Sequence, residues 1–245
     1  MRAFHVLAAA LALISASASA QDAQPHAPGI ESPGYVWNEP DAEKTRALAH
    51  DADPEKGKIA YEVCQGCHRA DGSGRADAVY PSLAGQHASV LIKQMIDVRS
   101  GRRDNPKMHP FVGEWVVSPE EVADISAYLN KLPVPLDNSK GKGEHLAQGK
   151  ELYERDCATC HGDQGQGRAA DFYPVVAQQH YAYLLREGEL IRDGGRRNAN
   201  PKMVVVIRDY TNAELEAVSD YMSRLVLPAR ASATGGKPGS SSGSN

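Results

Sequence analysis

The 245-residue chain contains four cysteines, and all four fall in two stretches of one pattern. In "EVCQGCH", Cys64 and Cys67 lie three apart and His68 follows at once; in "RDCATCH", Cys157, Cys160 and His161 repeat the arrangement. Two thiols at this spacing with an adjoining imidazole support three chemistries. They can cycle as a redox dithiol, hold structural zinc, or attach a haem by adding to its two vinyl groups while the imidazole meets the iron. The redox dithiol expects a βαβ context, and none is visible here. Zinc would use two such pairs with spaced histidines, whereas each pair here stands in its own copy with its histidine contiguous. Cys-x-x-Cys-His is the attachment pattern of covalent haem, and its duplication favours that reading over the other two. Cys64, Cys67, Cys157 and Cys160 are read as attachment points, His68 and His161 as iron ligands, and the cofactors as two c-type haems.

Iron held by one histidine has a second axial position, and a thioether there raises the reduction potential. Met108 and Met203 end equivalent "NPKM" strings, 40 and 42 residues after His68 and His161. The proline two places earlier favours extended backbone before it, so the spacing predicts a loop that presents the thioether to the metal. Met95 and Met222 have no methionine at the equivalent position in the other copy and read as core. His87 and His180 are equivalent to each other, stand at expected helix starts, and are the alternative ligands. His109 reads as a surface or outer-sphere neighbour of Met108. His26, His50 and His145 read as solvated.

The elements that position these residues are duplicated too. Gly57 and Tyr61 precede the first motif, as Gly149 and Tyr153 precede the second; "YPSLAGQH" (80–87) answers "YPVVAQQH" (173–180), and "GRRDNPKM" (101–108) answers "GRRNANPKM" (195–203). The offset is 93 residues at the histidines and at the Tyr-Pro strings. That is too long for a solenoid repeat and fits two small domains. Leu91, Met95 and Val98 recur at helical spacing, as do Leu184 and Ile191. Ser118-Pro119 with Glu121 opens one closing helix, and Thr211 with Glu214 opens the other, as capping boxes. No alternating strand pattern occurs. The expected fold is all-α, with two tandem helical domains each wrapped around one covalently attached haem. Only 6% of residues are aromatic, and a buried macrocycle would supply apolar bulk that a domain this small otherwise lacks.

The expected organisation is a signal peptide at 1–20, an extension at 21–52, domain 1 at 53–132, a linker at 133–144, domain 2 at 145–227 and a Gly/Ser-rich tail at 228–245. The first segment has an early arginine, a short apolar run and an Ala-Ser-Ala end, which predicts export to the periplasm with cleavage after Ala20. No other run is long enough to span a membrane. The net charge of −4 does not suggest a nucleic-acid partner. Residues 21–55 carry eight acidic and two basic side chains, a net of −6. The extension therefore reads as a contact for another protein, and Arg102, Arg103, Arg196 and Arg197 as haem-propionate partners or a docking face.

Together the two motifs, the glycines and tyrosines before them, the Tyr-Pro and "NPKM" strings and the closing helices with Tyr128 and Tyr221 resemble the two-domain, di-haem class I cytochromes c, especially the cytochrome c4 group. The resemblance covers about residues 53–227. It implies two cytochrome c domains with their haems near one another, and a shuttle of electrons. The implied donor is a dehydrogenase or a quinol-oxidising complex, and the implied acceptor a terminal oxidase or reductase. The alternative is a dedicated haem subunit of a periplasmic dehydrogenase. A di-haem thiosulfate dehydrogenase would need a further cysteine as iron ligand, and all four are committed. A peroxidase would need an iron that opens. No catalytic residue is assigned.

Overall fold

The computed structural model describes residues 23–76 and 80–228, so the expected signal peptide and all but the first residue of the tail lie outside the described residues. Among those residues the chain is helical, and its one β-type pairing is an isolated bridge between Arg168 and Tyr173. The extension contributes α1 (Ala42–Ala49). Domain 1 contains α2 (Pro54–Ala60), a tight turn at Tyr61–Cys64, α3 (Gln65–His68), α4 (Ala88–Arg99), α5 (His109–Val112) and α6 (Pro119–Lys131). Domain 2 repeats the order with α7 (Leu146–Leu152), a wide turn at Tyr153–Cys157, α8 (Ala158–His161), α9 (Tyr181–Arg192), α10 (Pro201–Ile207) and α11 (Asn212–Arg224).

The helix starts follow local chemistry. The Asp53 carboxylate accepts from the Glu55 and Lys56 amides ahead of α2, and both expected capping boxes form, at Ser118–Glu121 and Thr211–Glu214. Each domain has its own apolar cluster. Leu91, Met95, Ile96, Val98, Val122 and Leu129 fill the first; Leu152, Val176, Leu184, Ile191, Leu215 and Val218 fill the second.

The first and last helices of each domain cross at a glycine. A β-carbon on Gly57 would sit 2.0 Å from the Asp124 carbonyl oxygen of α6, and one on Gly149 would sit 2.1 Å from that of Ala217 in α11. Backbone therefore lies against backbone, with no flexible side chain to give way. Gly57→Ala and Gly149→Ala are each expected to destabilise the holoprotein by about 1–3 kcal/mol or more through overpacking. Denaturant unfolding followed by circular dichroism reads this, and an unchanged midpoint would show that the crossing is loose.

The domains meet through reciprocal contacts. The Gln86 carboxamide donates to the Val175 carbonyl at 3.0 Å and accepts from the Val175 amide at 2.9 Å. Gln179 does the same with Ser82, donating at 2.8 Å and accepting at 2.9 Å. His87 Nε2 lies 2.8 Å from the Gln166 carbonyl oxygen, and His180 Nε2 lies 2.9 Å from that of Ser73. Every pair repeats with the 93-residue offset, so the contact is an approximate two-fold within one chain. The segment joining the domains runs without helix, and buried Asn138 donates to the Gln179 and Ser223 carbonyls.

Acids of the same chain pair with all four arginines. Arg102 pairs with Asp41 at 2.5 Å, Arg103 with Glu187 at 3.2 Å, Arg196 with Glu187 at 2.5 Å and Arg197 with Glu31 at 2.7 Å. The extension is accordingly a strap across both domains. Gln24 donates to the Val98 and Arg103 carbonyls of domain 1, the Ile30 amide donates to the Arg197 carbonyl of domain 2, and Trp37 stacks 6.1 Å from Tyr173. His26 and His50 are not merely solvated either: His26 meets Arg197 at 2.9 Å, and His50 meets Asp124 at 3.1 Å.

Glu187 links the domains electrostatically. Burial alone would raise its pKa, but Arg196, Arg103 and Arg186 outweigh burial and hold the carboxyl at about 2. A carboxylate depressed in the fold stabilises it fully above the unfolded pKa of about 4.3 and loses that contribution as pH falls toward 2. The melting temperature of the wild type should therefore fall more steeply than that of Glu187→Gln between about pH 4.3 and 2. Parallel curves would mean that Glu187 does not hold the domains.

Candidate haem sites

In each domain the tight or wide turn runs directly into a single helical turn, α3 or α8, that ends on the histidine. This places both cysteines and the imidazole within five residues of backbone held by one tyrosine in each domain. The Tyr61 hydroxyl donates to the Arg69 carbonyl at 2.9 Å, and the Tyr153 hydroxyl to the Gly162 carbonyl at 2.6 Å. Both tyrosines are completely buried and pack against the closing helix, ring to ring, at 5.7 Å (Tyr61–Tyr128) and 5.6 Å (Tyr153–Tyr221).

After the histidine the glycine-rich segment folds back. The Gly74 amide donates to the His68 carbonyl at 3.0 Å, and Gly167 does the same to His161 at 2.7 Å. The Arg75 amide donates to the Tyr80 carbonyl and the Arg168 amide to the Tyr173 carbonyl, each at 2.9 Å. The fold-back brings the proline of each Tyr-Pro string to the imidazole. His68 Nδ1 lies 3.1 Å from the Pro81 carbonyl oxygen, and His161 Nδ1 lies 3.1 Å from that of Pro174. A carbonyl can only accept, so Nδ1 carries the proton and Nε2 is the nitrogen that remains for a metal. Burial pushes both imidazoles below the usual histidine range, against the opposing pull of the proline carbonyls; Arg103 adds to the lowering at His68. Sequence reasoning passed over Pro81 and Pro174, although each follows its histidine by the same 13 residues.

The four cysteines are unbridged and half-buried. Burial, with the Cys67 charge second, pushes the Cys64 thiol up to about 11. Burial, then Asp156 and Cys160, push Cys157 to about 12. A redox dithiol needs the opposite, an exposed cysteine with a lowered pKa. Two unbridged thiols beside a buried imidazole with a fixed tautomer fit covalent haem.

Met108 and Met203 are half-buried and pack against the cores of their own domains. The expected extended loop is replaced by helix in domain 2 and by a turn leading into a helix in domain 1. In domain 2, Pro201 is the first residue of α10, and the Asn200 side chain accepts from the Lys202 amide at 2.9 Å, so Met203 lies in the first helical turn. In domain 1, the Asn105 side chain accepts from the Met108 amide at 3.2 Å, and α5 begins at the next residue. Proline is well suited to a first helical turn, where its missing N–H has no partner to lose. Met95 is buried in the first core and Met222 packs against the second. His87 and His180 turn toward the opposite domain, and His109 is buried 6.4 Å from Trp115, not at the surface.

The cytochrome c family model matches residues 54–133 and 146–225, two successive copies. The chain belongs to the cytochrome c family. It is 35% identical over 177 residues to a thiosulfate dehydrogenase electron acceptor from Stutzerimonas stutzeri, covering 68% of this chain and 80% of that protein. It is 32% identical over 187 residues to cytochrome c4 from Pseudomonas aeruginosa, covering 73% of this chain and 92% of that protein. Reduced cytochrome c4 from Pseudomonas stutzeri superimposes with a TM-score of 0.65 at 27% identity, over 71% of this chain and all of the other. The protein is thus a di-haem class I cytochrome c of the c4 type, an electron carrier with two covalently bound c-type haems in two tandem domains. Among the described residues no helix is long and apolar enough to cross a membrane.

Proposed function

We propose that this cytochrome c works in the periplasm, exported by residues 1–20, and accepts electrons from a dehydrogenase that oxidises an inorganic sulfur compound such as thiosulfate. It passes them to a terminal oxidase or reductase. The domains extend over 53–132 and 145–227, joined by 133–144. In this reading Cys64 and Cys67 would attach the first haem, with His68 and Met108 holding its iron, and Cys157 and Cys160 the second, with His161 and Met203. The sulfur-oxidising donor rests on the 35% identity to the thiosulfate dehydrogenase electron acceptor.

Haem iron supplies a one-electron couple. The chain's own residues do the rest. The cysteines would fix the macrocycle, Pro81 and Pro174 hold each imidazole in one tautomer that leaves Nε2 for a metal, and a methionine ligand would favour the reduced state. The observation that carries the reading is the duplication of the buried histidine with its Nδ1 3.1 Å from a proline carbonyl, immediately after a cysteine pair. Were His68, Met108, His161 and Met203 to hold the two irons, no position would be left for a substrate. The purified oxidised protein should be reduced rapidly by a thiosulfate dehydrogenase turning over thiosulfate, and should by itself turn over neither thiosulfate nor hydrogen peroxide. Steady turnover of either by the isolated chain would contradict the carrier reading; no reduction by the dehydrogenase would contradict the assigned donor.

A further inference from the structure

Each histidine is connected to the opposite domain through a single peptide group. His68 Nδ1 donates to the Pro81 carbonyl, and the N–H of that same peptide unit, on Ser82, donates to Gln179 Oε1 in domain 2 at 2.9 Å. His161 Nδ1 donates to the Pro174 carbonyl, and the Val175 N–H of that unit donates to Gln86 Oε1 in domain 1 at 2.9 Å. Both carboxamides are orientated by a second bond, from Nε2 to the carbonyl of Ser82 or Val175. They are also steadied by the amides of His180 and His87, which donate to the same Oε1 atoms at 3.0 Å. Gln179 is 7% exposed and Ser82 6%, so water is largely excluded from this arm.

We propose that Gln179 and Gln86 are positioning residues that tune the haem of the opposite domain, each setting how strongly the other domain's histidine donates from Nδ1. The proposal rests on His68 and His161 being the iron ligands. Hydrogen bonds in a chain polarise one another, more so where the surroundings are apolar. A peptide whose N–H is engaged has a more negative carbonyl oxygen. That oxygen draws the Nδ1 proton harder, the imidazole becomes a stronger donor to iron, and the oxidised metal gains relative to the reduced one. The two-fold arrangement makes the influence reciprocal: the separation of the domains would relax both histidines at once, so docking of the domains and the electronic state of the sites are one linked property.

The test uses the holoprotein and the variants Gln179→Leu and Gln86→Leu, which remove the carboxamide at similar volume. Redox titration followed by proton NMR reads each haem separately, with Met108→Ala and Met203→Ala identifying which signals belong to which domain. Gln179→Leu should shift the reduction equilibrium of the domain 1 haem about fivefold toward the reduced form, the size of one ordinary hydrogen bond, and leave the domain 2 haem nearly unmoved. Gln86→Leu should do the reverse. In the reduced protein the Nδ1 proton of His68 should move upfield in Gln179→Leu, and that of His161 in Gln86→Leu, a signature that simple loosening of the interface would not confine to the opposite domain. A shift at the haem of the mutated domain, equal shifts at both, or none would overturn the proposal. Absence of ring-current-shifted imidazole ring-proton signals from His68 and His161 in the reduced wild type would instead overturn the ligand assignment beneath it.

Discussion

Met108→Ala is expected to open the iron of the first haem to carbon monoxide, and Met203→Ala that of the second, each variant binding about one equivalent where the wild type binds little. In the proposed ligation the thioether closes each site, and alanine would not reach the metal. The same variants should lower the potential of the affected haem by on the order of 100 mV, within the span of about 0.8 V that axial ligands command. Met108 and Met203 sit at the start of short helices and contribute only part of their surface to the core, so the domains should stay folded. Met95→Ala and Met222→Ala serve as controls on the same residue type in the cores; carbon monoxide binding in those variants would contradict the assignment.

Removing a cysteine pair is expected to have the larger structural effect. Cys64→Ser with Cys67→Ser should leave one haem per chain and unfold domain 1, with loss of about half of the helical circular dichroism. Cys157→Ser with Cys160→Ser should do the same to domain 2. Each apolar cluster is small and contains few aromatic rings, and a domain of this size is seldom stable on such a core alone. Retention of full helicity after loss of a haem would show that the polypeptide folds without it.

The features legible in the sequence are those whose cause is local. The capping boxes at Ser118 and Thr211 depend on residues three apart, and both form. The helical runs through Leu91–Val98 and Leu184–Ile191 are set by apolar periodicity, and both are helices. The cysteine and histidine positions were evident because attachment chemistry needs them contiguous. Features set by distant pairing were not legible. The acidic extension has no apolar period, and its partners Arg102 and Arg197 lie 61 and 166 residues from Asp41 and Glu31, so it read as a contact for another protein. Gln86 and Gln179 carry no reading from the sequence, since a carboxamide bears no mark of the backbone 89 or 97 residues away that it will grip. The "NPKM" strings show a third cause. Proline restricts the residue before it, yet it also suits a first helical turn. Pro201 takes the second use, as the first residue of α10, whereas Pro106 stands in the turn before α5.

Two methionine-ligated irons in one chain, made by one geometry used twice, are the proposed electron-carrying centre. This ligation is tested most directly by the weak absorption band at the near-infrared edge that sulfur ligation gives the oxidised haem, quantified per chain against the alkaline pyridine haem count. The account predicts two haems per chain and a band of two equivalents that halves in either methionine variant. A band of one equivalent, or none, with two haems present would contradict it.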